Sequence, residues 1–303
     1  MQALWGLDLG GTKIEGVVFK SINDLTPIAR LRVPTEQAQG YDHILQQIKK
    51  LVDQLSAVTY LSPTRIGIGT PGTLDPQTQL LKNSNTLCLN NQPLKKDLEA
   101  ILGVPLEMAN DANCFAMAEA RMGAVQTHFP EARVVFSVIL GTGVGGGVVV
   151  DGRIIGGRQG IGGEWGHNPL DDSGGPCYCG KVGCVEKVIS GPSLEAYYAQ
   201  HTGEKRSMKE ILARREEDPF AAETIARLIH FFGKGIAQVI NILDPDVIVL
   251  GGGVGNIELL YTEGVAAVLP YVFNNRLDTI FLKPELGDSA GVYGAALLTA
   301  NQG

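Results

Sequence analysis

Two periodicities alternate along the chain. Ala3 to Leu9 and Ile14 to Phe19 are short β-rich apolar runs, separated by Gly10-Gly11-Thr12-Lys13. From Tyr41, the residues Ile44, Leu45, Ile48, Leu51, Val52 and Leu55 recur at helical spacing and predict an amphipathic helix. Arg65 to Gly69 reads as a buried strand closed by Thr70-Pro71-Gly72. Leu106 to Ala109 reads as a strand end leading into a helix over 112–121. A second β-rich run, Val134 to Leu140, is followed by a glycine turn over 141–147, a strand over Val148 to Val150 and an Asp151-Gly152 turn. Strand, Gly/Thr turn and strand thus occur twice, about 130 residues apart, as if two halves share one plan. Asp218-Pro219 is a helix start, with Asp at the N-cap and Pro at the first helical position. Ile225, Leu228, Ile229, Phe232, Ile236, Val239, Ile240 and Leu243 supply its apolar face, and Asp244-Pro245 stops it. A buried strand over 246–250, the run Gly251-Gly252-Gly253 and a last helix over about 290–299 follow. Strands alternating with helices predict an α/β fold, and the hairpins make its sheets mixed.

A length of 303 residues favours two domains, and 44% apolar residues suffice for sizeable cores. The net charge is −7 and no basic stripe is visible, which argues against a nucleic-acid partner. The one dense charge run, Glu204 to Asp218, mixes signs and reads as a solvated face. No apolar stretch is long enough for a membrane span, and the N-terminus lacks a signal-peptide core. A cytoplasmic protein is expected. Three of the five cysteines fall between 177 and 184, which in a reducing compartment suggests metal before disulfides.

Glycine is in excess, with 39 in 303 residues against a usual ~7%. Gly141, Gly143 and Gly146 satisfy the spacing of a dinucleotide fingerprint. That motif needs a helix after the turn, and a Val-rich strand follows instead, so the dinucleotide reading is rejected. No P-loop pattern occurs. The turns at Gly10 to Lys13 and Gly141 to Gly146 could instead face each other across a cleft. They would offer N–H and Thr hydroxyl donors to a polyphosphate, with Gly251 to Gly255 as a third glycine segment. Asp8, just before the first turn, could hold Mg²⁺ through water. The bland alternative is that these glycines only make tight turns.

His167, Cys177, Cys179 and Cys184 supply three sulfurs and one imidazole, a typical structural zinc set, with Gly174, Gly175, Gly180 and Gly183 giving the sharp turns; the alternative is a set of buried free thiols and an unrelated His. Four protein ligands leave no position for substrate. Zinc would pin a loop carrying Glu164 and His167 on one side and Glu186 on the other. Cys88 and Cys114 read as small core residues. Asp111, between a strand end and a helix, suits either a proton-accepting base or a simple N-cap.

Taken in order, Asp8 to Lys13, Asn110-Asp111-Ala112-Asn113, Leu140 to Gly147, Gly163-Glu164-Trp165-Gly166-His167, the cysteine cluster and Leu250 to Gly253 resemble the motif series of the ROK family of bacterial sugar kinases. The resemblance spans essentially the whole chain. It implies the actin-like, ribonuclease-H-type ATPase fold, with two domains of mixed sheets flanking an interdomain cleft. The expected domains are 1–112, with a C-terminal helix over 291–303 packed on it, and 113–290, carrying the zinc loop. It implies that Asp111 is the catalytic base. ATP would be held by Asp8, Gly10, Gly11, Thr12, Lys13, Gly141, Thr142, Gly143, Gly251, Gly252 and Gly253. The sugar would be held by Asn110, Asp111, Glu164, His167 and Glu186, with Gly72 and Asn85 at the rim. ATP, Mg²⁺ and Zn²⁺ are the implied cofactors, a hexose the substrate and a homodimer the expected assembly. Lys82 to Asn85, Leu89 to Pro93 and Gly166 to Leu170 lean toward the fructokinase branch, making fructose 6-phosphate. Asp111 to Phe115 and Leu140 to Gly147 also resemble N-acetylglucosamine kinase, and glucose or mannose kinases are further alternatives. A sugar-responsive ROK repressor is disfavoured, since no helix-turn-helix precedes Asp8 and the net charge is acidic.

Overall fold

The computed structural model describes residues 2–301. Its first sheet has the order β3-β2-β1-β4-β7. The strands are β1 Leu4–Leu9, β2 Lys13–Ser21, β3 Asp24–Pro34, β4 Ile66–Thr70 and β7 Leu106–Asn110. A two-stranded ladder, β5 Thr73–Leu74 with β6 Leu81–Lys82, lies between β4 and β7 in sequence. The second sheet has the order β10-β9-β8-β11-β12. It consists of β8 Val134–Leu140, β9 Val144–Val150, β10 Arg153–Ile154, β11 Val247–Gly251 and β12 Ile280–Leu282. In each sheet the first strand of a hairpin also pairs in parallel with a later strand: β1 with β4, and β8 with β11. The repeated plan expected from the two glycine hairpins is therefore present, and both sheets are mixed.

The helices are α1 Tyr41–Thr59, α2 Leu94–Leu102, α3 Asp111–Arg121, α4 Ala124–His128, α5 Val185–Ile189, α6 Gly191–Thr202, α7 Met208–Ala213, α8 Pro219–Leu243, α9 Glu263–Val268 and α10 Ala290–Leu297. α1 and α8 run where periodicity places them. Asp218 caps α8 by accepting from the N–H groups of Phe220 and Ala221, and Pro219 opens it. The last helix ends at Leu297 and continues as a 3₁₀ turn over Leu298–Asn301; of the expected span 291–303, residues 302 and 303 lie outside the described residues. Among the described residues no helix is long and apolar enough to cross a membrane.

The chain forms two compact units. One comprises the segment ending at Thr127, residues 147–162 and the segment from Glu285; the other comprises 128–146 and 163–284. The first boundary lies beyond the expected 112/113, because α3 packs on α10 and so stays with the first unit.

In the first unit the period-two alternation of strand side chains decides which helix covers which face. Trp5, Leu7 and Leu9 of β1, Ile14 and Val18 of β2 and Ile66 and Ile68 of β4 form one core with Ile44, Ile48, Leu51 and Leu55 of α1. The opposite face carries Leu4, Val17 and Phe19, which cluster with Met117 of α3 and Val292, Ala296 and Leu297 of α10. On that face the intervening β1 and β4 positions are Gly6 and Gly67. A Cβ on Gly6 would sit 2.5 Å from Ala296 N, and one on Gly67 would sit 1.8 Å from Ala295 O. Gly294 of α10 approaches α3 as closely: its added Cβ would be 1.7 Å from Cys114 O. These are backbone atoms that cannot rotate away, so α10 docks only because three side chains are missing. Gly67→Ala or Gly294→Ala should destabilise the protein by about 3 kcal/mol, the upper part of the usual overpacking range. Urea unfolding measures this, with Gly103→Ala, where an added Cβ meets nothing within 4 Å but φ is +70°, as a control for backbone strain alone.

Candidate active site

Asp8 lies on the same face of β1 as Gly6 and is half-buried. Glycine makes room for its carboxylate. An added Cβ on Gly291 of α10 would be 3.1 Å from Asp8 Oδ2, and one on Gly69 of β4 would be 3.4 Å from Oδ1. In register, Asp8 stands opposite Glu15 on β2 and Gly69 on β4, and Thr70 stands opposite Asn110 on β7. Asp8 and Asn110 thus end parallel strands of one sheet, the usual position for ligand-binding groups in open α/β sheets. Burial, then the charge of Asp111, then that of Glu15 raise the Asp8 pKa to about 6, against a smaller opposing pull from Lys13. The folded state holds this proton more tightly than the unfolded chain. The carboxyl therefore favours folding below the ordinary Asp range and works against it once pH has risen through about 6.

Asp111 begins α3 but does not cap it. Asn110 is the N-cap, its Oδ1 accepting the N–H of Asn113 at 2.8 Å. Asp111 Oδ1 accepts the N–H of the adjacent Ala112 at 2.8 Å, a bond that does not cap the helix. The capping alternative for Asp111 is thereby removed. Asp111 is exposed to solvent, yet so many protein atoms surround it that desolvation raises its pKa. Cys114, one turn along α3, is fully buried; burial and then the charges of Asp8 and Asp111 push its thiol well up. Cys88, expected in the core as well, is only half-buried.

The Gly10–Lys13 turn is closed by Gly10 N–H to Lys13 O at 3.0 Å and tied to Thr35, whose hydroxyl donates to Gly10 O at 2.6 Å. Among the described residues no backbone carbonyl accepts from the amides of Gly11 and Thr12. Gly11 borders Thr86: a Cβ there would be 3.7 Å from Thr86 Oγ1. The neighbouring Asn85 is exposed. Gly72 has φ +91°, and an added Cβ would meet Lys82 O at 2.4 Å, so this glycine is required by the backbone that carries the Asn85 loop.

The second unit presents a matching turn. Gly141 N–H donates to Gly143 O at 3.0 Å, and no backbone carbonyl among the described residues accepts from the amides of Thr142 and Gly143. Gly141 lies against the other glycine run, with an added Cβ 3.6 Å from Gly253 N. Gly251 is the last residue of β11, and Gly252 turns the chain at φ +86°. Glu186 of α5 joins this turn: its Oε2 accepts the Val144 N–H at 3.0 Å, in space that a side chain on Gly143 would occupy. Glu164 precedes a 3₁₀ turn over Trp165–His167. That turn is fastened to the start of β9 by Trp165 Nε1–H to Gly145 O at 2.9 Å.

His167, Cys177, Cys179 and Cys184 bring their ligand atoms within 4.8 Å of one another. Cys177 Sγ is 3.6 Å from His167 Nδ1, and Cys179 Sγ is 3.6 Å from Cys184 Sγ. A tetrahedral zinc with Zn–S of about 2.3 Å and Zn–N of about 2.1 Å gives ligand separations of about 3.6–3.8 Å. The donor set and its spacing therefore fit zinc. His167 Nε2 is 2.9 Å from Tyr178 Oη, a contact that fixes the ring so that Nδ1 faces the sulfurs. Tyr178 is the residue that motif reading passed over: an aromatic between two cysteines carries no periodic signal. Its phenol pKa rises to about 12, through burial and then the negative charge of Glu186, Cys177 and Glu164.

The profile of the ROK family matches residues 4–302. The chain belongs to the ROK family. It is 37% identical over 306 aligned positions to an N-acetyl-D-glucosamine kinase of Vibrio atlanticus, covering 97% of this chain and 98% of that protein. An N-acetyl-D-glucosamine kinase of Mannheimia succiniciproducens is 33% identical over the same share of this chain. Among solved structures, a ROK hexokinase of Thermus thermophilus superposes with a TM-score of 0.87 at 31% identity, covering 98% of this chain and 97% of that one. A ROK glucokinase of Streptomyces griseus, solved with glucose and AMPPNP, gives 0.76 at 29% identity, with 98% of each chain covered. The resemblance to ROK sugar kinases drawn from the motifs is borne out, and with it the actin-like ATPase fold.

Because Asp111 is one cause of the raised Asp8 pKa, Asp111→Asn should lower the Asp8 midpoint from about 6 toward the ordinary Asp range. A carboxyl-carbon NMR titration of the metal-free protein follows it, and an unmoved midpoint would show that the two groups do not sense each other.

Proposed function

We propose that this ROK protein is an ATP-dependent hexose kinase whose preferred acceptor is N-acetylglucosamine. The observation that carries the kinase reading is the pairing of Asp8 with Asp111 beside a turn whose Gly11 and Thr12 amides have no backbone partner among the described residues. Phosphoryl transfer asks the protein mainly for positioning and for charge stabilisation on the phosphates, plus a carboxylate to take the hydroxyl proton. Asp111 is that carboxylate. It is reachable from solvent, and its desolvation makes it a stronger base than a free aspartate. Asn110, whose Oδ1 caps α3, fixes the register that aims Asp111. Asp8 would hold Mg²⁺ through water, and the bound cation would neutralise charge on the ATP phosphates. The amides of Gly11, Thr12, Thr142 and Gly143 are the donors we assign to the phosphates, with Gly252 and Gly253 bordering the nucleotide.

Asn85, Asn110, Glu164, His167 and Glu186 are assigned to the sugar, and Gly72 to shaping the Asn85 loop. Zinc on His167, Cys177, Cys179 and Cys184 would keep no open coordination position, and would brace the segment between Glu164 and Glu186. Fructose, toward which the wording around Asn85 and His167 leans, ranks second. The named relatives at 33–37% identity support N-acetylglucosamine instead.

A panel of N-acetylglucosamine, fructose, glucose and mannose with ATP and Mg²⁺, read by coupled ADP release, tests both levels. The expected result is the highest kcat/KM for N-acetylglucosamine. A fructose preference of tenfold or more would overturn the substrate, and no ADP release with any sugar would overturn the kinase. Asp111→Asn should lower kcat by about 10²–10⁴-fold, the usual worth of a general base, with the fold retained by circular dichroism.

A further inference from the structure

Tyr178 stands between two of the cysteines that fit zinc, yet its side chain is 77% exposed. Exposed aromatics normally have no fixed partner. This one meets His167 in two ways. Its Oη is 2.9 Å from His167 Nε2, and the two rings meet edge to face, with centroids 5.1 Å apart at 87°. The phenol also lies within electrostatic reach of Glu164 and Glu186, the two carboxylates assigned above to the sugar. Zinc on Nδ1, which faces the sulfurs, would leave the His167 proton on Nε2, so that this N–H would donate and the phenol oxygen accept.

The one donor that His167 can offer a sugar is therefore occupied by a residue of the same loop. A sugar hydroxyl accepting from Nε2–H must take the place of the phenol oxygen. Because Tyr178 is largely in solvent, rotating it away loses little packing and leaves its hydroxyl free to bond to water. We propose that Tyr178 is a specificity-determining positioning residue. Its phenol occupies the His167 Nε2–H in the sugar-free enzyme and yields that hydrogen bond to a hexose hydroxyl on binding. The inference rests on the assignment of His167 to the sugar. Its consequence is that affinity for hexose is reduced by the phenol contact. A sugar without a hydroxyl oxygen placed at Nε2 cannot displace the phenol, so the contact sharpens discrimination between hexoses.

Tyr178→Phe removes the competing oxygen and keeps the ring. Calorimetric titration of the zinc-loaded full chain with N-acetylglucosamine, and separately with glucose, should show a Kd about three- to tenfold lower in the variant, the range expected for one neutral hydrogen bond. The Kd for ATP and the zinc content should stay unchanged. In the sugar-free state the His167 Nε2 nitrogen resonance should shift in the Phe variant, and sugar should shift it in the wild type. An unchanged or weakened sugar affinity in Tyr178→Phe, or a His167 resonance indifferent to the phenol, would overturn the exchange. Wild-type protein that binds no hexose would instead refute the functional reading, and this inference with it.

Discussion

Two carboxylates, Asp8 and Asp111, are placed where burial makes both costlier to ionise and the charge of Asp111 raises Asp8 further, and much of the first unit serves to hold them there. The burial that raises the Asp8 pKa comes from α10 and the neighbouring strands. α10 can come so near only because Gly6, Gly67, Gly291 and Gly294 lack side chains at the points of contact. Two residues along β1, from Gly6 to Asp8, correspond to five residues along α10, from Ala296 to Gly291. The same close packing that seats the helix therefore closes over the carboxylate. A protein gains no stability from a half-buried Asp ionised at neutral pH; such strain is typical of a site selected for chemistry. The buried Glu15, paired with Arg30, Arg32 and Lys13, adds to the negative field while its own charge is balanced.

In the second unit the glycine turn and the cysteine loop are linked by a short covalent path. Cys184 precedes α5, and Glu186 within α5 reaches the Val144 amide beside the turn. Gly191, at the start of the next helix, donates to Gly141 O at 2.8 Å. A metal that fixed Cys184 would fix, within two residues, the carboxylate that braces the turn. An ion bound there would thus act on the geometry of the turn without any open coordination position.

The parts of this arrangement that sequence displays are those with a local signature. Helix α1 follows from its apolar spacing, α8 from its Asp-Pro start, and the convergence of His167, Cys177, Cys179 and Cys184 from residue types that rarely gather for another reason. The paired hairpins show as repeated glycine and threonine turns. β3 escaped notice because it is an edge strand with most positions at least partly exposed and no clean alternation. That Asp111 is not the cap of α3 could not be read locally, since it depended on whether the neighbouring Asn110 took the capping bond. The glycines of β1 and β4 looked like ordinary strand glycines. Their necessity lies in contacts with a helix more than 200 residues away in sequence. Tyr178 carried no signal at all, because its contact is with the His167 ring nitrogen that faces away from the cysteines.

The most direct test of the central claim is a crystal structure of the chain with N-acetylglucosamine, Mg²⁺ and a non-hydrolysable ATP analogue. The account predicts the acceptor hydroxyl within about 2.6–3.2 Å of an Asp111 oxygen, with a water of the metal ion on Asp8. A sugar bound away from Asp111, or a metal ion with no contact to Asp8 even through water, would contradict it.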